Sequence, residues 1–202
     1  MTQLDVRARL INSTIHVIAD EGLDKASTKQ IGIAASLNEA YIYRCFDDKV
    51  DMFSKTFDSL DEELLAVAMK HFEIMHIKDM DFETRCRAYF AAVWRFLLGN
   101  REKCLTFVRY YYSTYFAGRS AREHENRFAP LVAKFKKAFI DEADVWMILN
   151  HILNVMLDFA VKVHNDQMSK EDNYTEHVFR VIYASVKQYF RDSEETKLEQ
   201  HS

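Results

Sequence analysis

Residues that break helices are scarce in this chain, with four glycines and one proline among 202 residues. Many-stranded folds need turn chemistry at nearly every chain reversal, so this scarcity argues for an almost wholly helical, all-α protein. Cysteine is sparse as well. Cys45, Cys86 and Cys104 are odd in number and lack C-x-x-C spacing, which argues against a disulfide framework and a cysteine zinc site. Each reads as a reduced, packed thiol, and Cys45, beside Arg44, is the one that a neighbouring cation would activate. Long apolar runs are missing: Tyr89 to Leu98 is broken by Arg95, and Val145 to Val161 by Asn150, His151, Asn154 and Asp158. No membrane span is expected. The opening MTQLDVRARL has no signal-peptide apolar core, so the chain is expected to be soluble and cytoplasmic. The eight histidines form no metal pattern; His124-Glu125, for instance, has no second histidine four residues on. Neither a Gly-rich phosphate loop nor a G-x-S-x-G elbow occurs. No catalytic residue, metal or cofactor is expected, and the protein is not expected to be an enzyme. Excess positive charge is missing too: a net charge of −4 is unlike a protein that binds nucleic acid by bulk charge.

The composition is that of a folded protein, 49% apolar and 13% aromatic, enough for one or two cores. Periodicity and capping signals place helices over about 4–21, 27–34, 39–45, 48–72, 82–99, 101–116, 126–140, 142–165 and 174–191. Polar loops are expected at 76–81, 117–125 and 165–173, and a frayed tail over 193–202. No internal repeat is apparent.

The densest information lies between Gly22 and Phe53. Ser27 and Gln30 form an S-x-x-Q capping box that opens a helix with Ile31 and Ala34 on its apolar face. Ser36-Leu37-Asn38 follows as a turn, with Leu37 placed to plug the core and Asn38 to cap the next helix. That helix sets Ile42 and Phe46 inward and shows Glu39, Tyr41 and Arg44 to solvent. Asp48 with Asp51 starts a further helix. Two capped helices joined by so short a turn make a helix-turn-helix, whose second helix enters the major groove. From Lys25 to Lys49 the count is four basic side chains against three acidic, so any DNA contact must be local and geometric.

Gly22, Ile31, Ala34-Ala35, Tyr43, Phe46 and Lys49 fall in unbroken register with the DNA-binding domain of TetR/AcrR family transcriptional regulators, and the run resembles that domain. The chain departs from the pattern at Gly32, Ser36, Ala40 and Cys45, where the family usually has Ala, Gly, Gly and His. Ser36 must bear any left-handed strain that glycine avoids. The resemblance implies a helix-turn-helix domain over 1–50, a ligand-binding and dimerisation domain over 51–192, and a palindromic double-stranded operator read by a homodimer. It implies phosphate contacts from Thr28, Tyr43 and Lys49, base reading by Glu39, Tyr41 and Arg44, and further DNA-facing positions at Ser27, Lys29 and Asn38.

The later helices carry excess apolar surface. Val145, Leu149, Ile152, Met156, Ala160 and Val163 form one stripe, widened by Ile148, Val155 and Phe159, and Val178, Val181, Ile182, Val186, Tyr189 and Phe190 form another. Such helices pack on their own domain and on a second subunit. Asn150, Asn154 and Asp158 draw a polar line along the first, facing solvent, a dimer seam or a cavity. Aromatic density in Phe107, Tyr110, Tyr111, Tyr112, Tyr115 and Phe116, with Phe90 and Trp94 before it, reads as core or as a ligand box. Because the resembled family encloses a small-molecule pocket here, Trp94, Phe107, Tyr111, Tyr115, Trp146, Asn150 and Asn154 are candidate contacts for a small lipophilic effector. Two functions compete: a ligand-responsive regulator, most often a repressor in the resembled family, and an all-α small-molecule-binding protein or enzyme that keeps the scaffold without operator binding.

Overall fold

Side-chain oxygens anticipated as caps start several of the helices. The computed structural model describes residues 2–169 and 172–191. Among them are nine α-helices: α1 Gln3–Glu21, α2 Thr28–Ala34, α3 Ile42–Cys45, α4 Lys49–His71, α5 Phe82–Gly99, α6 Arg101–Tyr111, α7 Arg119–Phe135, α8 Val145–His164 and α9 Asp172–Val186. Residues 193–202, read as a tail, lie outside the described residues. A single antiparallel bridge, Phe139 with Phe190, is the extended pairing found among the described residues. The chain is all-α, as its composition implies.

The Ser27 box is complete: Ser27 Oγ accepts from the Gln30 amide at 3.2 Å, and Gln30 Oε1 accepts from the Ser27 amide at 3.0 Å. Asn38 Oδ1 accepts from the Ala40 amide at 2.9 Å. Asp48 Oδ1 takes the Asp51 amide at 2.7 Å, while Asp51 Oδ2 reaches back to the Asp47 amide at 3.2 Å. Each such bond satisfies a donor that the helix itself leaves over. Gly22 closes α1 at φ 89°, a conformation that side chains with a Cβ resist.

Two expected boundaries are corrected. The segment 117–125 is not a loop, because α7 already begins at Arg119. Ser120, His124, Phe128 and Leu131 are its buried residues, a helical stripe whose first two members are polar and so escape an apolar-periodicity reading. The helix expected to run to 116 ends at Tyr111. Ser113 breaks it, its hydroxyl donating to the Tyr110 carbonyl at 2.6 Å and accepting from the Tyr115 amide at 3.2 Å. The expectation that no run is apolar enough for a membrane also fails at α8, which qualifies by length and a mean hydropathy of 1.3. Within its unit, Ile148, Met156, Leu157, Ala160 and Val163 of that helix are nevertheless buried.

Packing divides the chain into two compact units, Met1–Leu64 with Asn100–Asn126, and Leu65–Gly99 with Arg127–Ser202. In the first, α1 packs on α2, α3 and α6. Thr106 Oγ1 of α6 donates to the Ile15 carbonyl of α1 at 2.8 Å in a buried bond, and the Arg109 guanidinium donates to the Ile18 carbonyl. Phe57 of α4 lies 5.0 Å from Phe107, 4.7 Å from Tyr110 and 5.4 Å from Phe116, ring centre to ring centre. Beside them His124 Nδ1 meets Asp61 Oδ1 at 2.8 Å with both side chains buried. In the second unit α5 packs on α8 and α9, and Phe139, Val145, Ile148 and Val186 form an apolar nucleus. Trp94 stacks on Phe90 at 5.8 Å and its indole N–H donates to Thr175 Oγ1 at 3.1 Å. Burial pushes the thiols of Cys86 and Cys104 up to about 12, as suits reduced, packed cysteines.

Ser36 stands at φ 50° in the turn after α2. A left-handed conformation costs a residue with a Cβ roughly 1–2 kcal/mol, partly offset in glycine by greater unfolded-state freedom. Ser36→Gly is therefore expected to raise stability by about 0.5–1 kcal/mol, read as a higher denaturation midpoint with an unchanged slope.

At the α1–α6 contact, His16 Nδ1 lies 2.9 Å from Glu102 Oε1 and its Nε2 lies 3.6 Å from Asp20. The hydrogen bond to Glu102, then its charge and that of Asp20, raise the imidazole above its ordinary 6.5. Protonated His16 thus favours the folded state fully below the unfolded value, and the contribution fades as pH rises through the higher folded value. Solvent screens it, since the ring is exposed. Denaturation of wild type and His16→Gln between about pH 5.5 and pH 9 should give a stability difference that shrinks toward alkaline pH. A constant difference would argue that the ring acts by packing alone.

Candidate nucleic-acid interface

The helix-turn-helix is assembled around side chains with almost no exposure. Ile31, Ala35, Ile42 and Phe46 are buried together with Leu10 and Ile18 of α1, and burial of each large aliphatic contributes roughly 1.5–3 kcal/mol. Between α2 and the turn the backbones approach closely at Gly32. A Cβ there would stand 3.1 Å from the Leu37 carbonyl oxygen and 3.4 Å from the Glu39 nitrogen, both backbone atoms with little room to yield. The glycine that departs from the resembled pattern is thus the one that lets the turn close.

A 3-10 turn over Glu39–Tyr41 leads into α3, and this element carries the expected reading residues. Tyr41 is 36% exposed, Tyr43 58%, and Arg44 is exposed. The Arg44 guanidinium lies over the Tyr41 ring at 5.2 Å, and Lys49 Nζ over the Phe53 ring at 5.1 Å. These cation–π contacts hold two of the cationic heads in place. Lys29 is exposed on α2. Ser27 and Asn38, expected at the DNA surface, have their side-chain oxygens engaged as helix caps. Thr28 and Glu39 face each other, the Thr28 hydroxyl donating to Glu39 Oε1, and both side chains are half-buried.

Contacts from α1 support the far end of the element and were not anticipated. Arg7 donates to the Cys45 carbonyl at 3.1 Å and lies 4.8 Å over the Phe46 ring. It thereby satisfies one of the carbonyls that a helix end leaves over. The only sequence sign was a cation one turn before Leu10, too common to single out.

The seven proposed effector contacts fall in both units. Phe107, Tyr111 and Tyr115 belong to the first. Phe107 and Tyr111 stack at 5.7 Å, Tyr111 lies 4.5 Å from Phe116, and Tyr115 stands edge-on to Phe53 at 6.0 Å. Trp94, Trp146, Asn150 and Asn154 belong to the second. Trp94 is engaged by Phe90 and Thr175 as above, whereas Asn154 Oδ1 is buried with no hydrogen-bond partner among the described residues.

The architecture matches solved TetR family structures. A TetR family transcription regulator from Marinobacter aquaeolei VT8 is 19% identical, with a TM-score of 0.75 over 95% of this chain and 100% of that one. A TetR-family transcriptional regulator from Haemophilus influenzae Rd is 16% identical, with a TM-score of 0.69 over 94% of this chain and 98% of that one. The fatty acid degradation regulator FadR from Bacillus halodurans is 16% identical, with a TM-score of 0.63 over 87% and 96%. No protein-family model and no curated protein sequence matches. The fold is that of TetR family transcription regulators, and at these identities the likeness carries the fold alone.

Proposed function

We propose that this chain is a cytoplasmic, sequence-specific DNA-binding transcriptional regulator, working as a homodimer on a palindromic operator. Residues 1–50 would be its DNA-binding domain and 51–192 its dimerisation and effector-binding domain. The observation that supports this best is the capped helix-turn-helix with Tyr41, Tyr43 and Arg44 exposed on its second element, in a chain with this fold. Arg44 matches the two acceptors of guanine, O6 and N7. Tyr43 and Lys49 are proposed to hold phosphates, which set orientation without carrying sequence information. Two recognition elements about one helical turn apart require a two-fold dimer.

The proposed dimer face lies on α8 and α9. Met147 and Val181 are more than half exposed there, an arrangement that favours a second apolar surface. Val186, which periodicity places on the same face, is buried in its own unit's nucleus and is a poor probe of the seam. Val181→Asp is expected to convert the dimer to monomer in sedimentation velocity with little change in helicity. A dimer that survives it would place the interface elsewhere.

The regulator is proposed to be a repressor released by a small lipophilic effector that prefers one of two conformations. Asn154 supports an effector contact, because its buried oxygen calls for a donor. The bonds from Thr106 and Arg109 to α1 carbonyls support α6 as the lever on the helix-turn-helix.

Selection of bound fragments from genomic DNA by the purified protein tests the proposal. Enrichment of one palindrome supports it; featureless recovery favours the all-α small-molecule-binding protein or enzyme. On an enriched site, Arg44→Ala should cost about 1–3 kcal/mol and relax one base position. Lys49→Ala should weaken all sequences alike and reduce the salt slope by about one. Equal losses for both variants on specific and random DNA would refute this division of roles.

A further inference from the structure

We propose that Thr28 is a positioning residue for Glu39, and that the carboxylate so held selects a base edge bearing an amino group at one operator position. This rests on the regulator reading above, and three observations carry it further.

The first is the contact itself. Thr28, the first residue of α2, donates its hydroxyl to Glu39 Oε1 of the recognition element, eleven residues on. A hydroxyl has one proton to give. While it is given to Glu39 it is not available to a phosphate, the role that the family resemblance implies for this position. The second is the fixed backbone beneath Glu39. Asn38 caps the turn through the Ala40 amide at 2.9 Å, and Gly32 allows α2 to lie against the Glu39 nitrogen and Cα. The carboxylate is therefore tethered at both ends, by a rigid main chain and by Thr28. The third is charge. One oxygen of the carboxylate remains for a further donor, since an ionised carboxylate accepts at both oxygens. In the major groove cytosine N4 and adenine N6 are donors, whereas guanine presents only the acceptors O6 and N7. A fixed anion is attracted to the first pair and repelled by guanine and by phosphate. Glu39 then acts by exclusion as much as by attraction, and Thr28 determines where it is applied.

The test uses the full chain and the base preferences of the wild-type protein, obtained by selection from random duplexes. Thr28→Val keeps the side chain's shape and removes the hydroxyl; Thr28→Ala serves if the valine variant melts early. Glu39→Gln removes the charge, and Thr28→Ser restores a donor. Thr28→Val and Glu39→Gln are expected to relax preference at the same base position, each by roughly tenfold. Affinity for random DNA should stay within about twofold in Thr28→Val and should not fall in Glu39→Gln, which loses an anion, and Thr28→Ser should keep the wild-type profile. The double variant should be no more relaxed than Glu39→Gln alone, as expected for groups acting as one. Uniform weakening of Thr28→Val on selected and random DNA, with a shallower salt dependence, would overturn the proposal and make Thr28 a phosphate anchor. An unchanged base profile in Thr28→Val or Glu39→Gln would overturn it as well. A wild-type protein that selects no sequence would sink the regulator reading and this inference together, an outcome distinct from the other two.

Discussion

The first unit depends on how α1 is held. Its apolar face, with Val6, Leu10, Val17 and Ile18 buried, provides the surface on which α2 and α3 close. Its carbonyls at Ile15 and Ile18 receive side-chain donors from α6. The Thr106 bond is fully buried, so its loss would leave a hydroxyl without water or partner, which costs more than the bond's modest net value suggests. Arg7, reaching from the same helix to the end of α3, extends this control to the recognition element. Both helices of the helix-turn-helix are thus supported by this one element.

Local chemistry was legible in the sequence, and distant pairing was not. The caps at Ser27, Asn38 and Asp48 and the closing glycine at 22 follow from residues within four positions of one another, where backbone geometry leaves few options; the left-handed Ser36 was indicated by the resemblance, whose pattern usually has glycine there. Thr28 and Glu39 are eleven residues apart, His124 and Asp61 sixty-three, and no single-sequence pattern joins them. The start of α7 was missed for the same reason. Ser120 and His124 line its inner face, but their burial is made favourable by Tyr110, whose hydroxyl lies 3.0 Å from Ser120 Oγ, and by Asp61. The candidate interface was read from the motif down to single positions. The role of Thr28 within it depended on a bond to Glu39 that only the folded chain displays.

A buried tyrosine hydroxyl needs a hydrogen-bond partner, and that of Tyr110 has one in Ser120. The rings around Phe57 and the His124–Asp61 pair combine close ring packing with a directional polar bond. Apolar contact alone tolerates sliding among similar shapes, whereas a buried bond between specific atoms fixes register. The pair thus serves to align α7 on α4 within this unit.

Arg44 rests over the Tyr41 ring in the free protein. A long cationic side chain ordinarily carries about 1.5–2 kcal/mol of rotamer entropy into any encounter. Here part of that disorder has been removed during folding, so that part of the ordering term belongs to the stability of the chain and is no longer charged to docking.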